Sequence, residues 1–287
     1  MTDQARNLRK RIKFSANQKQ GKTIAVISGK GGVGKSNIAL NFSLELINRN
    51  KKVMIIDLDM GMGNINILLG VQPERTIVDL FNERLSIFDI MEKGPHNLHY
   101  IAGGSGLNDF IHLDEEKREF FYEQFKELVD SYDYIIFDMG AGISQDSIFF
   151  ILAADECIVV TTTEPTAFTD AYSAIKQVVN HGGNMPIHVI LNRARSKKDR
   201  VTLERFQRVV KQFLHRDIQP LGVIPEDRIV SEAVIKQTPY ALLNEKAPAS
   251  RSIRKLTDHF LSGTEVIPYH EEPAFIQRLK KLFRGKF

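Results

Sequence analysis

The sequence predicts an α/β protein with a doubly wound, mainly parallel sheet and helices on both faces. Apolar, β-branched runs alternate with segments of helical periodicity from residue 22 to about residue 262. That order places a crossover helix between successive parallel strands. A glycine-rich loop joins the first apolar run to the first helical segment, which is the second observation behind this fold class.

The elements follow one another in a regular order along the chain. Each predicted strand is a short apolar run, and each predicted helix has apolar residues spaced three and four apart. The predicted strands are residues 23–27, 52–58, 98–101, 134–138, 155–162, 186–192 and 221–225. The predicted helices are residues 38–47, 76–92, 115–130 and 166–179.

Residues 29 to 36 carry the most specific motif. They read Gly-Lys-Gly-Gly-Val-Gly-Lys-Ser and match the phosphate-loop pattern G-x-x-x-x-G-K-[ST] at every fixed position. Backbone N–H groups of such a loop and the following helix N-terminus bind phosphate oxygens. Lys35 would neutralise the β- and γ-phosphates, and Ser36 would bind Mg²⁺. The predicted nucleotide-binding residues of this loop are Gly29, Lys30, Gly31, Gly32, Val33, Gly34, Lys35, Ser36 and Asn37.

Lys30 is a second lysine inside the loop, where an ordinary phosphate loop requires no charge. The stretch from Lys30 to Ser36 resembles the deviant Walker A motif, K-G-G-V-G-K-[ST], of the MinD/ParA ATPases. These P-loop NTPases position cellular machinery. The resemblance implies ATP and Mg²⁺ as ligands, an ATP-dependent homodimer, and Lys30, Lys35 and Asp59 as catalytic residues. In that family the extra lysine reaches the ATP of the partner subunit, and the resemblance assigns this role to Lys30.

Two further strands end in carboxylates. The buried run at residues 52–58 leads through Asp57 to Asp59, and a later apolar run ends in Asp138. The first pair resembles the D-x-D of the family's first switch, which implies that Asp59 orients the attacking water and that Asp57 supports Mg²⁺ through water. Asp138 has the Walker B arrangement. The expected metal set is therefore Ser36, Asp57 and Asp138.

The other expected nucleotide contacts lie on later loops. Gly140 follows the Walker B aspartate and stands where many family members have proline. The flagellar branch of the family often lacks that proline too. The glycines after Asp138 allow a backbone N–H to approach the γ-phosphate. Asn192 ends a strand where the family places an asparagine that reads adenine. Pro225 and Asp227 match the adenine-flanking loop. The basic cluster at residues 193–200 is either a partner or DNA surface or a solvated loop.

Length and composition exclude several classes of protein. A chain of 287 residues holds one large α/β domain with short tails. Cys157 is the single cysteine, which excludes an internal disulfide, a cysteine-only metal site and the iron–sulfur relatives of the family. The N-terminus has no secretory signal, and no apolar run is long enough to span a bilayer. We expect a cytoplasmic protein that associates reversibly with the inner surface of the membrane.

The net charge of +4 is unevenly distributed. Residues 1–20 hold six basic residues and one acidic residue, and residues 273–287 hold five basic residues and no acidic one. Each end therefore carries +5, and the body carries −6. Such ends suit acidic surfaces. We expect an N-terminal segment and linker at residues 1–20, an ATPase domain at residues 21–262, and a linker with a C-terminal helix at residues 263–287.

The N-terminal segment resembles a GTPase-activating motif. Residues 3–9 read Asp-Gln-Ala-Arg-Asn-Leu-Arg and are similar to the D-Q-A-x-x-L-R segment by which flagellar members of the family stimulate FlhF, an SRP-type GTPase. An amide can orient the attacking water, and a guanidinium can stabilise transition-state charge. The expected activating residues are Asp3, Gln4, Leu8 and Arg9, with Gln4 ranked first. The alternative is a disordered basic tail.

The C-terminal segment has the pattern of an interfacial amphipathic helix. Its apolar residues are spaced i, i+1, i+4, i+7 and i+8, and basic residues occupy the other face. The alternative is a terminal helix docked on the body. The residues expected to contact an anionic membrane are Phe275, Ile276, Leu279, Lys280, Lys281, Leu282 and Phe283.

These features predict a switch ATPase that hydrolyses ATP to ADP and phosphate and controls flagellar number and placement. The expected partners are a second copy, FlhF, flagellar switch (C-ring) proteins and the anionic membrane; nucleic acid is not an expected partner. The alternatives are a division-site MinD, which shares the C-terminal helix but lacks the basic N-terminal segment, and a DNA-partitioning ParA, which binds DNA in a salt-sensitive way.

Overall fold

The chain forms one sheet in which the carboxyl ends of all the described strands but one face the same way. The computed structural model describes residues 20–59, 63–103, 114–196, 198–263, 267 and 270–284. Its strands are β1 (Lys22–Ser28), β2 (Val53–Leu58), β3 (Met91–Lys93), β4 (His99–Ile101), β5 (Tyr134–Ala141), β6 (Glu156–Thr162), β7 (Ile187–Ala194) and β8 (Gln219–Pro225). They lie in the order β3-β4-β2-β5-β1-β6-β7-β8. Every pairing is parallel except that of β3 with β4.

Helices cover both faces of this sheet. They are α1 (Lys35–Ile47), α2 (Ile65–Leu69), α3 (Ile77–Asn82), α4 (Glu115–Ser131), α5 (Gln145–Ala153), α6 (Pro165–Asn180), α7 (Asp199–Leu214), α8 (Arg228–Ile235), α9 (Tyr240–Leu243), α10 (Pro248–Ser262) and α11 (Ala274–Arg284). One apolar core holds side chains of α1, α2 and α8 to α10, and the other holds those of α3 to α7 and α11. The predicted doubly wound fold is confirmed.

Two of the middle strands are buried along their whole length. β1 and β2 are buried at every residue, as expected for strands covered by helices on both faces. Asp57 of β2 and Asp138 of β5 lie opposite each other in the strand register. Because β1 is the other neighbour of β5, the loop after β1 opens at the same edge as these two carboxylates.

The region predicted as one helix over residues 76–92 is divided. α3 ends at Asn82, Arg84 takes a left-handed backbone with φ 52°, and the chain returns as β3. Ile87 and Ile90 are fully buried outside any helix. The apolar spacing in this stretch correctly indicated which side chains are buried, but it did not indicate a helix. The prediction of a continuous helix is wrong.

The C-terminal helix differs most from expectation. α11 packs on α4 and α5, and Phe275, Ile276 and Leu279 are 1, 2 and 0% exposed. The ring of Phe275 lies 4.9 Å from that of Phe125 and 5.2 Å from that of Phe137. The apolar face assigned to a membrane is therefore docked on the body here. The body supplies an aromatic surface that the helix pattern alone does not reveal.

Polar contacts fix the same helix to the amino end of the sheet. Arg278 donates from Nε to the carbonyl of Ala153 at 2.7 Å and from Nη2 to Asp155 Oδ1 at 2.5 Å. The other oxygen of Asp155 accepts from the backbone N–H of Thr23 at 2.8 Å. α11 is thus tied to β1 through a single carboxylate.

Two further sequence predictions concern the N-terminal segment and membrane-spanning helices. The GTPase-activating residues Asp3, Gln4, Leu8 and Arg9 lie outside the described residues. Among the helices that the structure describes, none is both long and apolar enough to cross a bilayer.

Candidate nucleotide-binding site

The phosphate loop joins β1 to α1 with its backbone N–H groups open. Gly34 has a left-handed backbone, φ 90°, and Lys35 is the first residue of α1. No side chain in the described part of the chain caps the start of α1, and its first turn holds no acidic residue. An uncapped helix N-terminus with partial positive charge is the arrangement that binds phosphate.

Asn192 at the end of β7 supports this loop. Its amide donates from Nδ2 to the carbonyl of Val33 at 2.8 Å. A Cβ at Gly34 would lie 2.5 Å from the same Nδ2, so a side chain there would displace Asn192. Glycine is required at this position both for its backbone angle and for this close approach.

Lys35 lies against the Walker B aspartate. Its Nζ is 2.5 Å from Asp138 Oδ1, and both side chains are buried. Asp138 also hydrogen-bonds with the Ser36 side chain. Burial raises the pKa of Asp138, and the Lys35 ammonium opposes that shift. A phosphate in the loop would compete for the same ammonium.

The donor set at this edge fits Mg²⁺. Asp138 Oδ2 is buried and has no hydrogen-bond partner among the residues described, so it can accept from a metal-bound water. The Ser36 hydroxyl stands beside it. No group of three or more His, Cys, Asp or Glu side chains in the described part of the chain could hold a metal without other ligands. Waters and phosphate oxygens complete the shell of Mg²⁺ in sites of this kind.

Asp57 organises the loop that follows β2. It is 1% exposed, and it accepts backbone N–H bonds from Asp59 at 3.0 Å, Asn64 at 2.7 Å and Ile65 at 3.1 Å. Burial and the nearby charge of Asp138 raise the pKa of Asp57 to about 6. These bonds join the two ends of the loop and place the start of α2, so Asp57 has a structural role besides any metal contact.

Asp59 belongs to the first predicted switch segment and lies beside Gly140 of the second. Asn64 donates from Nδ2 to Asp59 Oδ2 at 3.2 Å. A Cβ at Gly140 would lie 3.6 Å from Asp59 Oδ1, so the two loops touch at this point. The sequence analysis assigned no role to Asn64; its place in the loop directly after Asp57 and Asp59 was the available signal.

The Lys30 side chain contacts residues at the start of α6. Its Nζ lies 2.6 Å from Glu164 Oε2 and 3.1 Å from Thr166 Oγ1. Glu164 directly precedes α6, and Pro165 is the first residue of that helix. The sequence reasoning did not assign these partners; the Thr-Glu-Pro-Thr run at the start of a helix was the available signal.

A cavity of about 320 Å³ continues from the phosphate loop towards β8. Gly34, Asn37, Asn192 and Pro225 line it, as expected for an adenosine pocket. Asp227 also lines it, but its carboxylate is engaged elsewhere: Oδ1 accepts from the backbone N–H of Ile229, and Oδ2 from that of Ala249. Asp227 therefore holds the starts of α8 and α10 together.

Comparisons with known proteins agree with this geometry. Residues 21–185 match the AAA domain family. The antiactivator FleN of Pseudomonas aeruginosa is 35% identical over 75% of this chain and 77% of its own length. The flagellum site-determining protein YlxH of Helicobacter pylori is 31% identical over 97% of this chain and 96% of its own length.

The chain belongs to the MinD/ParA family of ATPases. Within it the chain is similar to FleN and YlxH, the group also called FlhG. The septum site-determining protein MinD of Pyrococcus horikoshii, solved with Mg-ADP, is 28% identical, with a TM-score of 0.69 over 85% of this chain and 98% of its own. This FlhG-like chain binds ATP with Mg²⁺ and hydrolyses ATP.

The groups at the ends of the strands can each contribute differently to phosphoryl transfer. When bound, Mg²⁺ supplies charge neutralisation at the transferring phosphoryl group. Lys35 carries a positive charge to the same point, and the open N–H groups of α1 orient the phosphates. Asp59 stands where a carboxylate can accept a hydrogen bond from an attacking water.

Proposed function

We propose that this chain is an ATP-dependent dimerising switch that controls flagellar number and placement. The observation that carries the switch is the position of Lys30: its ammonium is bound to Glu164 and Thr166 rather than to its own phosphate loop. A lysine held there is available to the nucleotide of a second copy. The flagellar assignment is supported by the similarity to the antiactivator FleN and to the flagellum site-determining protein YlxH.

In this proposal each site residue has one task. Lys35 and the loop N–H groups bind the ATP phosphates, Ser36 and Asp138 hold Mg²⁺ with support from Asp57, and Asp59 orients the attacking water. Asn192 and Pro225 flank the adenine. Lys30 of one copy stabilises the charge that develops on the ATP of the other.

The N-terminal segment stimulates an SRP-type GTPase, FlhF, independently of the ATPase core. It precedes Gln20, which lies next to β1 at the amino end of the sheet, opposite the phosphate loop. Gln4 supplies the amide that orients the attacking water, and Arg9 contributes charge.

The C-terminal helix binds anionic membrane after it leaves the body. Its docked state buries three large apolar side chains, each worth about 1.5–3 kcal/mol. Membrane binding by a single copy is therefore weak, and two released helices on one dimer bind by avidity. Flagellar switch proteins are further candidate partners of the same dimer.

FlhF stimulation tests the flagellar assignment. The full chain should accelerate GTP hydrolysis by FlhF, and Gln4→Ala should abolish that effect while ATP binding stays intact. Lys19→Ala, in the polar linker, is the matched control. If deletion of residues 1–20 leaves the stimulation unchanged, the segment is only a basic tail, and the assignment moves to a division-site MinD. Salt-sensitive DNA binding that requires ATP would instead favour a ParA-type function.

A further inference from the structure

A second cavity lies along the outer edge of β8. Its volume is about 790 Å³, and it shares no lining residue with the adenosine cavity. β8 is an edge strand of the sheet that the described residues form, with α7 packed on one face and α10 on the other. The cavity opens between those two helices, so its wall includes the side of the strand that no other strand covers.

The floor of this cavity is apolar. Leu203 of α7, Leu256 of α10 and Leu221 and Val223 of β8 line it. The three leucines are buried and Val223 is half-buried, so Val223 is the most accessible of these four side chains. An apolar floor of aliphatic side chains favours a ligand that carries aliphatic groups of its own.

The first half of β8 is closed to further pairing. Pro220 has no N–H to donate, and Leu221 is an extra residue in the register with β7, which makes a bulge. The Leu221 carbonyl accepts from His259 Nδ1 at 3.0 Å. The accessible edge is therefore Gly222 to Ile224, because Pro225 at the end of β8 has no N–H either. An edge strand presents backbone N–H and C=O groups to any extended chain that aligns with it.

Unpaired charges flank this edge. Arg200 of α7 and Lys255 of α10 line the two walls, both are exposed, and neither forms an ion pair within the described part of the chain. Among the described residues that line the cavity, Glu204 is the only carboxylate. Two cations against one carboxylate favour an anionic occupant.

We propose that this cavity binds an extended acidic segment of a partner protein, which adds to the outer edge of β8. Its aliphatic side chains would pack on the half-buried Val223, and its carboxylates would meet Arg200 and Lys255. Main-chain pairing to an edge strand supplies affinity, and alternate side chains supply specificity.

Charge excludes the other occupants that the chain itself offers. Residues 1–20 and residues 273–287 each carry +5, so neither terminal segment suits a cationic cleft. A second copy related by twofold symmetry would place Arg200 and Lys255 of both copies at one interface, which is repulsive. An acidic segment from another protein is the occupant that fits.

The test uses the full chain with labelled Leu and Val methyl groups and a nine-residue peptide of alternating Val and Glu, blocked at both ends. NMR titration should shift the methyl resonances of Leu203, Leu221, Val223 and Leu256 and saturate. A peptide with Lys in place of Glu should not bind. N-methylation of alternate peptide bonds in the acidic peptide should remove binding, because it removes the main-chain donors.

Charge variants give the sign of the electrostatic contribution. Lys255→Glu and Arg200→Glu should each weaken binding at least tenfold, whereas Glu204→Gln should strengthen it severalfold. Lys117→Glu makes the same charge change on α4, outside the cavity, and should leave binding unchanged. All four variants should keep wild-type ATP hydrolysis.

Four outcomes would overturn the proposal. They are equal binding of the Lys peptide, unchanged affinity of Lys255→Glu, binding that survives N-methylation, and shifts that map to α4 instead of the cavity. Methyl shifts that depend on protein concentration without any peptide would assign the surface to a second copy and would overturn the proposal as well.

Discussion

Lys30 Nζ lies 2.6 Å from Glu164 Oε2, so the lysine that distinguishes this phosphate loop is paired with the residue before α6 and not with its own loop. The contact lowers the pKa of Glu164 through the hydrogen bond and the charge of Lys30. It is solvent-exposed, with 31% of the Lys30 side chain and 59% of the Glu164 side chain accessible. An ion pair this exposed is weak and exchanges readily for another anion.

Glu164→Gln should favour the ATP-bound dimer. The substitution removes the negative charge that competes with the partner's nucleotide for Lys30. The gain should be modest, at most about fivefold in the apparent dissociation constant, because solvent screens the pair. Analytical ultracentrifugation with ATP and Mg²⁺ measures it. Thr166→Val, which removes only the neutral contact, is the control and should have a smaller effect. Weaker dimerisation of Glu164→Gln would show that Glu164 acts in the dimer itself.

Asp59→Ala should separate binding from hydrolysis. ATP affinity should stay within a fewfold of wild type, because the phosphate contacts come from the loop after β1. Hydrolysis should fall about a hundredfold or more, as expected for loss of a group that positions the attacking water. Single-turnover hydrolysis and equilibrium binding of labelled ATP give the two quantities. Asn64→Ala, which removes only the 3.2 Å contact to Asp59, should have an intermediate effect on hydrolysis. Full turnover by Asp59→Ala would remove this residue from the mechanism.

Asp155→Asn should release the C-terminal helix without changing its sequence. Asp155 holds both Arg278 and the Thr23 backbone, so loss of its charge weakens the anchor of α11. Sedimentation with phosphatidylglycerol vesicles, without ATP, should then show severalfold more bound protein than wild type. Asp217→Asn, which breaks the exposed pair with Lys211, is the matched control. If Asp155→Asn lowers the melting temperature but leaves vesicle binding unchanged, α11 is a structural helix only.

Cys157 should resist alkylation in the native protein. It is fully buried in β6, and burial raises the pKa of its thiol to about 12. At pH 8 almost none of it is thiolate, the form that reacts. Iodoacetamide should therefore label it only at the rate of unfolding, and labelling followed by mass spectrometry measures that rate. Rapid native labelling would mean that the β1–β6–β7 region opens far more readily than this packing allows.

Most of the fold could be predicted from local patterns in the sequence. The strand before Gly29, the loop to Ser36 and the helix after it were predicted because each depends on neighbouring residues. The strands ending near Asp57 and Asp138 were predicted for the same reason, and parallel pairing then placed their ends together. The pairing of Lys30 with Glu164 was not predicted, because it joins residues 134 positions apart.

Two differences between expectation and structure share one physical cause. Apolar periodicity reports that a side chain is covered, but not what covers it. For Phe275 the cover is the ring pair Phe125 and Phe137, which only the folded body assembles. For Ile87 and Ile90 the cover is the core beneath a non-helical turn. Asp227 is a separate case: its place at the adenosine cavity was expected, and its bonds to the starts of two helices join residues that sequence patterns do not connect.

Light scattering of the Asp59→Ala protein, with and without Lys30→Ala, tests the central claim most directly. The claim is that ATP joins two copies through Lys30. With ATP and Mg²⁺, Asp59→Ala should have twice the monomer mass, because the ATP state is not consumed. The double variant should remain monomeric while still binding ATP. A double variant that forms the dimer as readily as Asp59→Ala would contradict the claim.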